Sequence, residues 1–115
     1  MKSNNIIDRK VEQTILSLQR NPESPEVFKL SKKLAEWLNE LIHKNQMACF
    51  KRCTKSVLSL YQYTTSNKVK LAIENVFIYK LCDTIMLQKD RGLWMGVLPA
   101  RLKEIACRQV FASGI

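Results

Sequence analysis

"KVKLAIENVFIYKLCDTIMLQK", residues 68–89, decides the fold. Val69, Ala72, Ile73, Val76, Phe77, Ile78, Leu81, Cys82, Ile85 and Met86 cover more than one side of a helical wheel. A helix that is apolar around most of its circumference belongs inside a helical core, with other helices laid against it. At 1.5 Å per residue the segment reaches about 33 Å, the width of a small domain. It is too charged to span a membrane. Lys70, Glu74, Lys80 and Asp83 interrupt the apolar block, whereas a span needs about 20 mostly apolar residues.

Working outward, the same periodicity recurs on both sides. Ile7, Val11, Ile15 and Leu18 form one face of a helix over residues 5–19, with Asp8 in the first turn where a carboxylate suits the helix dipole. "RNPESP" then breaks the chain. Ser24 as cap, Pro25 at the first helical position and Glu26 behind it predict the start of a second helix. Its seam is Val27, Leu30, Leu34, Trp37, Leu38 and Leu41. "HKNQM" is a short break around Asn45, and a third helix carries Phe50, Cys53, Val57, Leu60 and Tyr61 on one face. "TTSN" ends it, with Ser66 or Asn67 placed to cap the central helix. Gly92 is read as its C-terminal stop, flanked by Lys89 and Arg91 at the negative end. Pro99 opens a last helix with the stripe Leu98, Leu102, Ile105, Ala106 and Val110. The expectation is an all-α fold: about five helices packed antiparallel around residues 68–89, as a bundle or a short repeat-like array, forming one domain over 1–115.

Composition limits the chemistry. Nineteen Lys and Arg against ten Asp and Glu give a formal charge of +9. The excess is local: residues 41–73 contain no acid, yet Lys44, Lys51, Arg52, Lys55, Lys68 and Lys70 lie there. A basic face of this kind can neutralise phosphates or attract an acidic protein. Tyr61, Tyr63 and Trp94 are the aromatic side chains available for stacking on bases. No helix-turn-helix, RRM or KH signature is readable.

His43 is the single histidine, and no positioned partner for a general base is identifiable. Cys49 and Cys53 stand four apart, on one helical face. Zinc commonly wants four ligands, and no second paired motif supplies them; buried small hydrophobes are the better reading of these thiols. If Cys49 were exposed, Lys51, Arg52 and Lys55 would lower its pKa. No nucleophile elbow, P-loop, dinucleotide-binding or H-E-x-x-H motif occurs. No enzyme, metal or cofactor is therefore expected. "MKSNNIIDRKVEQ" lacks the apolar stretch of a secretory signal, so a cytoplasmic location with reduced thiols is expected.

"DRGLWMGVLPARLK", residues 90–103, is too apolar for a wet loop. It is read as a buried crossover in which Trp94, Met95 and Leu98 form a packed joint and Gly96 allows the bend. A docking site for a partner is the other reading.

Three pieces carry a family resemblance: "ACFKRCTKSVLSLY" (48–61), "TTSN" with "VKLAIENVFIYKL" (64–81), and "VLP" (97–99) before a closing helix. The chain from Cys49 to about Val110 resembles small, uncharacterised bacterial all-helical domains with armadillo- or HEAT-like helix hairpins. The resemblance implies a helical protein-interaction module, of the kind encoded near bacterial conflict systems, and supplies no catalytic or ligand residues. Proteins that neutralise nucleases by covering a basic cleft are expected to be acidic, and a charge of +9 argues against that role. The sequence thus points to a non-enzymatic interaction module with a protein partner. The alternative is a nucleic-acid binder using the basic face of residues 44–70.

Overall fold

The apolar rows close into six helices in the computed structural model, which describes residues 5–112 and the side chains of residues 6–108. They are α1 (Asn5–Arg20), α2 (Val27–His43), α3 (Met47–Tyr63), α4 (residues 67–86), α5 (Arg91–Val97) and α6 (Ala100–Ala112). No strand occurs among the described residues. No helix there is long and apolar enough to cross a membrane. The Cα radius of gyration is 13.3 Å, close to the value of about 13 Å that chain length alone predicts for a folded domain.

The interior is shared by two helices. α4 buries Val69, Ala72, Ile73, Phe77, Ile78, Leu81, Cys82 and Ile85. It packs on α2, α5 and α6. α2 buries Val27, Ser31, Leu34, Ala35, Leu38, Leu41 and Ile42, and packs on α1 and α3 as well as α4. Leu98, Leu102, Ile105 and Ala106 are buried on the last stripe; the side chain of Val110 lies outside the described ones.

Several boundaries differ from the sequence expectation, each for a local reason. The central helix is not a regular α-helix over 68–89. Asn67–Ala72 and Ile78–Met86 are joined by a π-helical turn, Ile73–Phe77. The row Val69, Ile73, Phe77, Leu81, Ile85 repeats every four residues and so drifts around a 3.6-residue helix; one wide turn takes up part of the drift and keeps the row in the core. The helix ends at Met86, with the Leu87 N–H donating to Thr84 O and the Gln88 N–H to Ile85 O. Gly92 therefore does not stop it. Gly92 and Gly96 both lie within α5, where neither has a positive φ and a Cβ would meet nothing within 4 Å. Gly96 does not make the bend; α5 ends at Val97, and Leu98 is extended before Pro99. This short helix is the sixth that the count of about five lacked. α2 begins at Val27 and not at Pro25. The Ser24 hydroxyl instead accepts from the Glu26 N–H at 3.0 Å, so Ser24-Pro25-Glu26 forms the turn that leads into the helix.

Two turns are fixed by single polar residues. Asn45 has φ 56°. Around it the Asn45 N–H donates to Ile42 O at 3.0 Å and the Gln46 N–H to Leu41 O at 2.9 Å. That pair of bonds is a Schellman motif with Asn at its left-handed position. Ser66 caps α4: its Oγ accepts from the Val69 N–H at 3.2 Å. The same hydroxyl lies 2.7 Å from Glu23 Oε2 and 3.1 Å from Pro22 O, tying the α1–α2 turn to the start of α4.

Two buried serines give opposite expectations. Ser66→Ala removes a cap and an inter-turn tie, and should lower stability by about 1–2 kcal/mol. Ser31 is fully buried with no hydrogen-bond partner for its hydroxyl among the described residues. Ser31→Ala should leave stability unchanged or raise it by up to about 1 kcal/mol. Urea-unfolding midpoints followed by circular dichroism check the pair.

Candidate functional site

Trp94 is 1% exposed and Leu98 3% exposed, while Met95 is half-buried. The indole N–H of Trp94 donates to Asp90 Oδ1 at 3.1 Å, one helical turn back, so the ring enters the core without an orphaned donor. There it meets Phe50 of α3 edge-on, with centroids 5.1 Å apart and planes at 82°. Together with the packing of α5 on α4, this contact brings α5 and the α5–α6 joint beside α3. A groove of about 590 Å³ results, lined by Lys51, Lys55, Leu58 and Ser59 on α3 and by Gly96, Val97, Leu98 and Pro99 across from it. Its floor is apolar and its rim basic. Neither lysine is held in an ion pair among the described residues. The two stretches that the sequence singled out, the basic run and the Trp-Met segment, meet at this groove.

The other four basic candidates lie elsewhere. Lys44 pairs with Glu40 at 2.9 Å. Arg52 reaches across to Asp8 of α1, 3.1 Å from Oδ2. The Lys68 ammonium donates to the Glu23 carbonyl at 3.2 Å. Lys70 is half-buried on α4 and does not line the groove. Of the aromatic candidates, Tyr61 is 6% exposed and its hydroxyl donates to Glu74. Tyr63 is open to solvent and lines a separate hollow at the α3–α4 turn. A larger depression of about 650 Å³ is lined, among the described residues, by α6 alone, from Ala100 to Arg108. His43 is exposed at the last position of α2.

The opposite side of α3 carries a second arrangement. Cys49 and Cys53 are buried, and both thiols donate to Asp8 Oδ1, at 2.8 and 3.4 Å. Burial would raise the Asp8 carboxyl, yet the bonds from Cys49, Arg52 and Cys53 outweigh it and hold it below its ordinary value. Burial and the neighbouring carboxylate push the Cys49 thiol up to about 11, and that of Cys53 is raised too. The condition for a lowered Cys49 pKa, an exposed thiol beside Lys51, Arg52 and Lys55, is not met: Arg52 still acts downward, and burial together with Asp8 outweighs it. The thiol is buried, and Asp8 draws the Arg52 charge to itself. The carboxylate and the two sulfurs all lie within 4.8 Å of one another and are the described residues that could hold a metal ion. Sequence reading missed Asp8 because it is 41 residues from Cys49. The available signal was an acid in the apolar-faced first helix, and the helix dipole accounted for it without a long-range partner.

Residues 7–111 match the family described as a domain of unknown function (DUF7674). The chain belongs to that family. No curated protein and no solved structure matches it. The DUF7674 match opens at Ile7, beside Asp8, and extends into α6, so it takes in both sides of α3 and the whole groove.

Two outcomes follow for this DUF7674 chain. Asp8 has a lowered pKa in the fold, so its stabilising effect is full above the unfolded carboxylate range and fades as pH falls through the folded value. Asp8→Asn should cost about 1–2 kcal/mol at neutral pH. That deficit should shrink in acid, as read from thermal unfolding across a pH series. In metal-free buffer at neutral pH, iodoacetamide should label the exposed Cys107 quickly. Cys49 and Cys53 should stay protected until the chain unfolds. Mass spectrometry of the native and unfolded protein distinguishes these sites.

Proposed function

We propose that this DUF7674 chain is a non-enzymatic helical interaction module. It takes an acidic, partly apolar segment of a protein partner into the groove between α3 and the α5–α6 joint. The single observation that carries the reading is the convergence of Lys51 and Lys55 on an apolar floor of Leu58, Val97, Leu98 and Pro99. A rim of positive charge steers an acidic segment and fixes its register. The floor removes apolar side chains from water and supplies the affinity. The armadillo- or HEAT-like resemblance supports the same role, since such helical scaffolds present extended surfaces to partners.

The nucleic-acid alternative draws on the formal charge of +9. Three observations weigh against it. Lys44, Arg52 and Lys68 are engaged away from the groove and Lys70 does not line it, which leaves two of the six basic candidates, Lys51 and Lys55, on its rim. Trp94 and Tyr61 are buried and offer no stacking face, and the exposed Tyr63 lines a separate hollow away from the groove. An apolar floor is of little use against a phosphate backbone.

The test is a fluorescence-anisotropy titration with two probes: a Glu- and Asp-rich peptide bearing leucine and phenylalanine anchors, and an oligonucleotide. The peptide should bind saturably and more weakly as salt rises. Lys51→Glu/Lys55→Glu should weaken it about tenfold or more, since two rim charges at roughly 0.7 kcal/mol each amount to one decade. Unchanged affinity in the double variant removes the groove from consideration. An oligonucleotide that binds tighter than the peptide transfers the surface to nucleic acid.

A further inference from the structure

We propose that Asp8, Cys49 and Cys53 hold a thiophilic divalent cation such as zinc, with the fourth coordination position open to the hollow beside Glu12 and Ser56. The donors come from two packed helices. Asp8 sits in the first turn of α1, and Cys49 and Cys53 on successive turns of α3. Both sulfurs aim at one carboxylate oxygen, Oδ1, at 2.8 and 3.4 Å. A tetrahedral zinc site with ordinary bond lengths sets sulfur and oxygen about 3.6 Å apart and two sulfurs about 3.8 Å apart. Cys53 already stands near that spacing, and Cys49 reaches it by a side-chain shift of under about 1 Å.

The cation takes the place of the two thiol protons. Two S–H bonds break, two metal–sulfur bonds form, both protons pass to solvent, and Asp8 contributes an oxygen lone pair. No atom changes oxidation state at the ligands. Charge also balances: two thiolates and one carboxylate face a dication and the Arg52 guanidinium. Arg52 bonds Oδ2 at 3.1 Å and leaves Oδ1 to the metal, as an outer partner that orients a ligating carboxylate does. Glu12 as fourth ligand would leave a net negative charge, whereas water leaves none. The hollow lined by Asp8, Val11, Glu12, Arg52, Cys53 and Ser56 has a volume of about 180 Å³, enough to admit that water. Two sulfurs select zinc-like ions over magnesium or calcium.

The experiment is an anaerobic titration of the reduced, chelator-treated protein with cobalt(II). The expected result is a sulfur-to-cobalt charge-transfer band with the strong visible absorption of tetrahedral cobalt. It should saturate at one ion per chain and bleach on adding zinc. Cys49→Ser and Cys53→Ser should each abolish the bands, and Cys82→Ser and Cys107→Ser should leave them intact. Arg52→Gln, at an exposed position, should weaken binding by about tenfold, the usual weight of an outer partner. Zinc should also raise the unfolding temperature of the unaltered chain, which needs no variant to fold. Absence of the charge-transfer band in the folded, unaltered protein overturns the proposal. So does a band that survives in both Cys49→Ser and Cys53→Ser.

Discussion

The edge of one aromatic ring against another ties the C-terminal helices of this molecule to α3. α5 is seven residues long, too short to persist without tertiary contacts. Its position is set by packing on α4 and by Trp94 meeting Phe50, a pairing worth about 0.5–1.5 kcal/mol beyond the area it buries. Asp90 makes that burial affordable in polar terms by accepting the indole N–H. Once Trp94 is seated, the path of residues 96–99 is set, and the groove beside Lys51 and Lys55 exists because of it.

α3 divides its polar residues between two surfaces. Neighbouring helical positions point about 100° apart. Lys51 and Lys55 face the α5–α6 joint, and Arg52 and Cys53, between them in sequence, face α1. A run that is uniformly basic on paper therefore becomes two unlike environments. One is a cationic rim over apolar surface. The other is a carboxylate ringed by two thiols and a guanidinium, in which the positive charge is already matched. Phe50 lies between them and belongs to the core.

Much of the architecture was legible because it is local. The stripes Ile7-Val11-Ile15-Leu18 and Leu34-Leu38-Leu41 are buried as their spacing requires, and Ser66 caps as its position suggests. What escaped sequence reading was either a departure from the 3.6-residue period, as at Ile73–Phe77, or a contact between distant residues. The glycines misled for a simple reason. A glycine near an expected helix end suggests a left-handed cap, but Gly92 and Gly96 adopt no such conformation, and Asn45 takes that role at another turn. The groove was half visible: both of its walls were singled out, and only the Phe50–Trp94 contact shows that they face each other. Asp8 could not be assigned to Cys49 by any periodicity, since the pairing depends on how α1 is laid along α3.

The π-helical turn of α4 also bears on what length change the fold tolerates. A π turn is what a regular helix becomes when one residue is inserted and both flanking faces keep their old partners. Val69 and Ala72 on one side and Leu81, Cys82 and Ile85 on the other are all buried, so the surplus is absorbed between them without moving either end. A family member one residue shorter across 73–77 would thread the same core with an ordinary helix. Length variation at the centre of the most buried helix, where an alignment normally treats a gap as an error, is then compatible with an unchanged fold.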